Sequence, residues 1–279
     1  LLAGVLTLSG AAARAATITV PAGGDLQSAI NSASCGDEIL LQSGASFLGN
    51  FVLKYKGACT GTDADYITIR SSNLSALPAA GTRIAPSHGP AMAKLVANSG
   101  TPALEAEANA HHYKLVGLEI TNVGGSIVTQ ELILIGARSS GGNIPFLQHP
   151  HHLTFDRCWV HEATNDTTTP DSVVTTAIRG FNLDATDVRI TECRVAGFRT
   201  YQPVSQGVEA SNAILFPASA LRVTVSNTYL EAWFVPLFLG GSGGTSPNNA
   251  AVSNPTMTRA TLSSVSNLAV GDLIAFKVT

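Results

Sequence analysis

Tyr113-Lys-Leu115-Val-Gly-Leu118-Glu-Ile120 decides the fold, because its pattern returns three times. Leu153-Thr-Phe155-Asp-Arg-Cys158-Trp-Val160, Val188-Arg-Ile190-Thr-Glu-Cys193-Arg-Val195 and Val223-Thr-Val225-Ser-Asn-Thr228-Tyr-Leu230 carry core-type residues at the same four positions. Their starts lie 40, 35 and 35 residues apart. A fixed internal period of this length is the signature of a stacked repeat. Each segment is interrupted in its middle by two residues: Val116-Gly117, Asp156-Arg157, Thr191-Glu192 and Ser226-Asn227. The interruption must be a sharp bend, and Gly117 and Asn227 are residues that tolerate positive φ.

A second apolar strand precedes three of these segments: Ala103-Leu-Glu-Ala106, Ala177-Ile-Arg-Gly-Phe181 and Ala213-Ile-Leu-Phe216. Leu132-Ile-Leu-Ile135 is the matching strand for the remaining rung. Three short strands per coil, stacked in parallel with bends at matching positions, describe an all-β chain in a right-handed parallel β-helix. Ahead of it, Asp25-Leu-Gln-Ser-Ala-Ile-Asn-Ser-Ala33 places Leu26, Ala29, Ile30 and Ala33 on one helical face behind an Asp N-cap. This is the N-terminal capping helix that a solenoid needs, since its first rung would otherwise expose core.

The expected organisation is a partial signal peptide over 1–15, a strand and capping helix over 16–36 and the β-helix over 37–240. A Gly/Ser-rich linker over 241–255 and the start of a truncated β unit over 256–279 follow. The signal rests on the apolar run Leu1–Leu8 and the small-x-small pattern Ala13-Arg14-Ala15; a hydrophobic first strand is the alternative. Only 13% of residues are charged and the net charge is -3. With no Lys/Arg run, this balance argues against a nucleic-acid-binding surface. No stretch past residue 15 approaches the length of a membrane span. The four cysteines fit an oxidising compartment. Cys35 and Cys59 are plausible disulfide partners. Cys158 and Cys193 share a column one period apart, where either a disulfide or a stack of buried free thiols fits. The expectation is a secreted or cell-surface protein, exported by a bacterium and monomeric.

Val20-Pro-Ala-Gly-Gly-Asp-Leu-Gln-Ser-Ala-Ile30, with Cys35-Gly-Asp-Glu-Ile-Leu-Leu41 and Tyr66-Ile-Thr-Ile-Arg-Ser71, resembles the opening of pectate-lyase-like β-helix proteins. More narrowly, the segments beginning at His112 and His152, together with Asn227-Thr-Tyr-Leu-Glu231, resemble a group of exported bacterial β-helix proteins of undetermined activity. The resemblance covers roughly residues 16–240 and implies the fold, whereas folds of this kind host many functions. The polygalacturonase motifs Gly-His-Gly and Asn-Thr-Asp are absent. The calcium-binding aspartates and catalytic arginine of pectate lyases find no matching positions.

In a β-helix one column of the repeat becomes one line on the surface, with neighbours roughly 4.8 Å apart. The outward positions after the bend give Glu119, Trp159, Arg194 and Tyr229 in one line, and Thr121, His161, Ala196 and Glu231 in the next. Aromatics that stack on sugars, interleaved with an Arg that grips carboxylates, make the first line the candidate substrate-binding surface. The alternative is that these side chains pack beneath loops. His161 and Glu231 share a column two rungs apart and are the candidate acid/base pair, while Arg179 is the candidate to neutralise a uronate in β-elimination. Arg157 is expected to pair with Glu192 across one rung.

His111-His112 and His151-His152 occupy equivalent positions in adjacent rungs, with His149 nearby. Imidazoles suit zinc or copper, but polar residues also simply recur in turns, and no metal site is assigned. Asp166 and Asp171 are calcium-type ligands in a Thr-rich loop, and no calcium site is placed. The expected partner is a polysaccharide. The expected function is that of a lyase or glycoside hydrolase acting on an extracellular, uronate-containing glycan, with a non-catalytic glycan-binding or adhesion module as the alternative.

Overall fold

The repeat folds into rungs that each contribute one strand to each of three sheets. A computed structural model describes residues 15–57, 59, 61–124, 129–136, 144–163, 177–198, 211–216, 220–232 and 236–239. The expected signal peptide up to residue 14, the linker over 241–255, the unit over 256–279 and the loop bearing Asp166 and Asp171 lie outside the described residues.

The cap comprises β1 (Thr17–Val20) and the helix α1 (Leu26–Ser32). The Asp25 carboxylate accepts from the Ser28 backbone N–H at 2.8 Å, and Leu26, Ala29 and Ile30 are buried. The first rung follows as β2 (Glu38–Leu41), β3 (Ser46–Leu48) and β4 (Phe51–Leu53), and the second as β5 (Ile67–Ser71), β6 (Ala93–Ala97) and β7 (Leu104–Ala106). The third is β8 (His111–Val116), β9 (Leu118–Asn122) and β10 (Thr129–Ile135); the fourth is β11 (His151–Asp156), β12 (Trp159–His161) and β13 (Ala177–Leu183). The fifth is β14 (Thr186–Thr191), β15 (Arg194–Phe198) and β16 (Asn212–Phe216), and the sixth is β17 (Thr224–Ser226), β18 (Tyr229–Ala232) and β19 (Leu237–Leu239).

Sheet one orders as β1-β2-β5-β8-β11-β14-β17, sheet two as β3-β6-β9-β12-β15-β18 and sheet three as β4-β7-β10-β13-β16-β19. Every pairing among the described strands is parallel, and the architecture is a right-handed parallel β-helix. The repeat's inward columns stack as core: Ile69, Leu115, Phe155 and Ile190 on sheet one, and Leu95, Ile120, Val160 and Val195 on sheet two. Among the described residues no helix is long and apolar enough to cross a membrane.

Two bend columns turn the chain. Between sheets one and two, Gly117, Arg157, Glu192 and Asn227 have φ of 61°, 50°, 58° and 44°. Where the chain enters sheet one, His112, His152, Asp187 and Arg222 have φ of 56°, 53°, 55° and 52°. The left-handed conformation disfavours most side chains by about 1–2 kcal/mol, so at His112, Arg157, Glu192 and Arg222 it is imposed by rung geometry, whereas Gly117 and Asn227 suit it.

Cys158 and Cys193 are buried free thiols, which settles the two readings left open by their spacing. They answer a backbone problem just past the bend. The Cys158 N–H donates to the Cys193 sulfur at 3.3 Å, and the Cys193 N–H donates to Thr228 Oγ1 at 3.3 Å. Each side chain in turn donates to a carbonyl of an earlier rung: Cys158 to Leu115, Cys193 to Phe155 and Thr228 to Ile190. The Cys35–Cys59 disulfide is formed, with its Cα atoms 5.7 Å apart.

One element has no counterpart in the repeat. Residues 72–92, inserted between β5 and β6, form a strap with two short 3-10 turns (Leu74–Ala76 and Pro86–Ala91). The strap runs along the bend between sheets one and two. Leu74 and Leu77 lie over Gly117, where an added Cβ would sit 2.9 and 2.4 Å from them. The Arg157 guanidinium donates to the Pro78 carbonyl at 3.2 Å, Glu192 accepts from the Gly81 N–H at 2.6 Å, and the Asn227 amide donates to the Gly81 carbonyl at 2.9 Å. Glu192 is therefore committed to the strap. Arg157 pairs with the adjacent Asp156 at 3.0 and 3.1 Å, not with Glu192 as expected, because two guanidinium nitrogens reach both carboxylate oxygens within its own bend.

Candidate functional site

The first surface line has the expected register: Glu119 pairs with Trp159, Trp159 with Arg194, and Arg194 with Tyr229. Its lower half is not at the surface. The strap returns over it, so that Trp159 packs on the small cluster of Leu77, Ile84 and Met92. A Cβ on Gly89 of the strap would lie 2.8 Å from Trp159 Cζ3 and 3.1 Å from Glu119 Oε2. Glu119, expected to face outward, is only 5% exposed. Its carboxylate takes an ion pair from Lys94 and accepts from His161 Nε2 at 3.1 Å. Burial pushes this carboxyl up, but the bonds from His161 and Lys94 outweigh it and hold the group below its ordinary value.

His161 is wedged in the same cluster. Its ring stacks on Trp159 with centroids 3.9 Å apart and planes 23° apart. Nδ1 faces the Glu162 carbonyl at 2.8 Å while Nε2 faces Glu119. Both ring nitrogens are therefore occupied by protein partners within the cluster. The expected pairing of His161 with Glu231 is absent among the described contacts. A register shift between Val195 and Phe198 breaks that column, and Glu231 instead accepts from the Tyr229 hydroxyl at 3.0 Å.

The upper half of the line stands clear of these strap contacts. The Arg194 guanidinium lies over the Tyr229 ring, 4.1 Å from its centroid, a cation–π arrangement. The bond to Glu231 and that carboxylate's charge raise the Tyr229 phenol above its ordinary value, so the ring stays neutral. Arg179, on β13, is in register with Glu131 of β10 and forms an ion pair with it at 3.2 Å. It stands on sheet three, away from the line that holds the other candidates.

At the opposite bend the four histidines converge. His111 stacks on His151 with centroids 4.8 Å apart and planes 2° apart, and His112 stacks on His152 at 4.7 Å and 5°. Within each rung the Nδ1 atoms meet, at 2.6 Å for His111–His112 and 2.7 Å for His151–His152. Their equivalent sequence positions carried this signal. The burial of Glu119 and Trp159 carried none, because it comes from a strap outside the repeat.

No protein-family model matches this sequence, and no curated protein matches it. Among solved structures the fold is similar to the crystal structure of an alginate lyase from Paenibacillus sp. str. FPU-7, at 16% sequence identity and a TM-score of 0.46. The similarity covers 76% of this chain, which spans 65% of that one. At this distance no residue role passes from that enzyme to this chain.

Proposed function

We propose that this chain is an exported β-helix protein that binds an acidic extracellular polysaccharide along the outer face of sheet two. The Arg194–Tyr229 pair carries the reading. Arg70, Lys94, Arg157, Arg179 and Arg222 are each matched with a carboxylate, whereas Arg194 forms no ion pair among the described residues. A guanidinium held flat by a ring keeps its planar fork for a uronate carboxylate. The Cys35–Cys59 disulfide supports an oxidising compartment.

A lyase or glycoside hydrolase needs an unencumbered base or a pair of carboxyls at working separation. His161, Glu119, Glu231 and Arg179 are all engaged with protein partners, which supports binding over turnover. The discriminating experiment presents the protein with polyuronates and neutral glycans and follows both binding and the release of unsaturated or reducing ends. Binding to a polyuronate is expected, weakened about fivefold or more by Arg194→Ala, as loss of an interaction of about 1 kcal/mol implies. Failure to bind any polyuronate sinks the proposal. Turnover would replace the binding module with an enzyme, and Arg179→Ala would then be the first variant to assay.

A further inference from the structure

The four-histidine cluster lies on the bend into sheet one, away from the sheet-two face, and its protons can be counted. His111 Nε2 is 2.8 Å from the Gly57 carbonyl, an acceptor, so this nitrogen carries a proton and donates. A neutral His111 then has its lone pair on Nδ1. His112 Nδ1, 2.6 Å away, must be the donor between them. His112 is left with a bare lone pair on Nε2, and that atom is buried without a hydrogen-bond partner on a residue only 4% exposed.

A ring that donates from one nitrogen to a fixed acceptor and presents the other, unpartnered, is how a protein prepares an imidazole to ligate metal. One nitrogen from each of His112, His151 and His152 lies within 4.8 Å of the other two. Around a tetrahedral ion with bonds of about 2.0–2.1 Å, such nitrogens stand roughly 3.3 Å apart, so an ion draws the rings closer and replaces the 2.7 Å Nδ1–Nδ1 contact of His151 with His152. Asp187 follows His152 in the same bend column, its carboxylate paired with the Arg222 guanidinium at 2.6 Å. Cys59 also lies near His111 and His112, but its sulfur is held in the disulfide with Cys35.

The bend itself does not demand histidine. In the next rungs Thr186-Asp187 and Leu221-Arg222 occupy the same two columns, and Asp187 and Arg222 reach the same positive φ.

We propose that His112, His151 and His152 form a binding site for a divalent transition ion of the zinc–copper class, with His111 as the hydrogen-bonded support of His112. All-imidazole ligation selects this class over calcium or magnesium, which take oxygen ligands.

The test strips the full chain with chelator, without reductant, and titrates Zn2+ and Cu2+ separately by calorimetry, with bound metal counted by mass spectrometry. One ion per chain is expected, with affinity reduced at least tenfold in His152→Asn and in His151→Phe and unchanged in His88→Asn. Asn tolerates the positive φ at 152 and Phe keeps the stack on His111; circular dichroism and urea midpoints confirm the folded state of each. Electron paramagnetic resonance of the Cu2+-loaded wild type should show nitrogen hyperfine splitting from several imidazoles, a readout independent of any variant. Absence of uptake at micromolar ion, uptake unchanged in a folded variant of 151 or 152, or a spectrum without nitrogen coupling would each overturn the proposal.

Discussion

Cys193→Ala isolates one link of the ladder that runs up the inside of the bend. The native sulfur accepts the Cys158 N–H at 3.3 Å, and its single S–H has the carbonyls of Phe155 and Thr191 within reach at 3.5 and 3.2 Å, with the residue fully buried. Alanine removes the acceptor, leaving the Cys158 N–H buried and unpaired, at about 1–3 kcal/mol. Losing the buried sulfur removes roughly another 1 kcal/mol of burial. Cys193→Ala should therefore destabilise by about 2–4 kcal/mol. Cys193→Ser restores the acceptor and should recover most of the hydrogen-bond share, since Thr228 fills the same column one rung on with a hydroxyl. Urea unfolding of the three proteins gives the comparison. Burial also pushes the Cys193 thiol well up, so a thiol reagent should label it only on unfolding. If the alanine and serine variants agree within about 0.5 kcal/mol, the ladder contributes nothing and the reasoning fails.

Two further outcomes test the strap and the cluster beneath it. Gly89→Ala sets a Cβ 2.8 Å from Trp159, so it should cost about 1–3 kcal/mol of overpacking and lift the strap. With Trp233→Phe as background, acrylamide should then quench Trp159 more readily, and unchanged quenching with an unchanged urea midpoint would show that the strap does not rest there. The Glu119 carboxyl is held below its ordinary value in the folded state, so its contribution is complete above the unfolded carboxylate value, about 4.3, and is lost as pH falls through the lower folded value. Glu119→Gln strands Lys94 and His161 and should destabilise by about 2–4 kcal/mol at neutral pH, while flattening the acid limb of a urea-midpoint profile; parallel profiles for the two proteins would contradict the assignment.

The rungs were legible because one rule, a core residue on every second inward position, is written four times with the same phase. Register followed from it, so Glu119, Trp159, Arg194 and Tyr229 fall in line as read. Side-chain partners did not follow, for two physical reasons. The strap joins positions far apart in sequence, such as Gly81 with Asn227, and nothing in its own residues repeats. The shift between Val195 and Phe198 is a local irregularity that moves Glu231 out of the column of His161, and its one sequence signal is Gly197, a strand glycine at a φ of 90°. The bend columns were half legible: Gly117 and Asn227 advertise positive φ, whereas Arg157 and Glu192 adopt it only because the rungs above and below hold them there.

That second point decides where a ligand can lie. The polar side chains of a bend column form a row of hydrogen-bonding groups one rung apart. Between sheets one and two the row is occupied by the chain's own strap, through Arg157, Glu192 and Asn227, and the aromatic line beneath Gly89 closes with it. Trp159 packs there against Leu77, Ile84 and Met92, and the polysaccharide face proposed above begins at Arg194. At the other bend no strap segment contacts His112, His152 or Asp187 among the described residues, and the row there keeps its nitrogens for one another or for an ion. The same backbone device thus builds an internal clasp on one corner and a polar cluster on the other. What differs is what each row meets: the strap on one corner, and on the other the Gly57 carbonyl at His111 and the Tyr66 ring at His112.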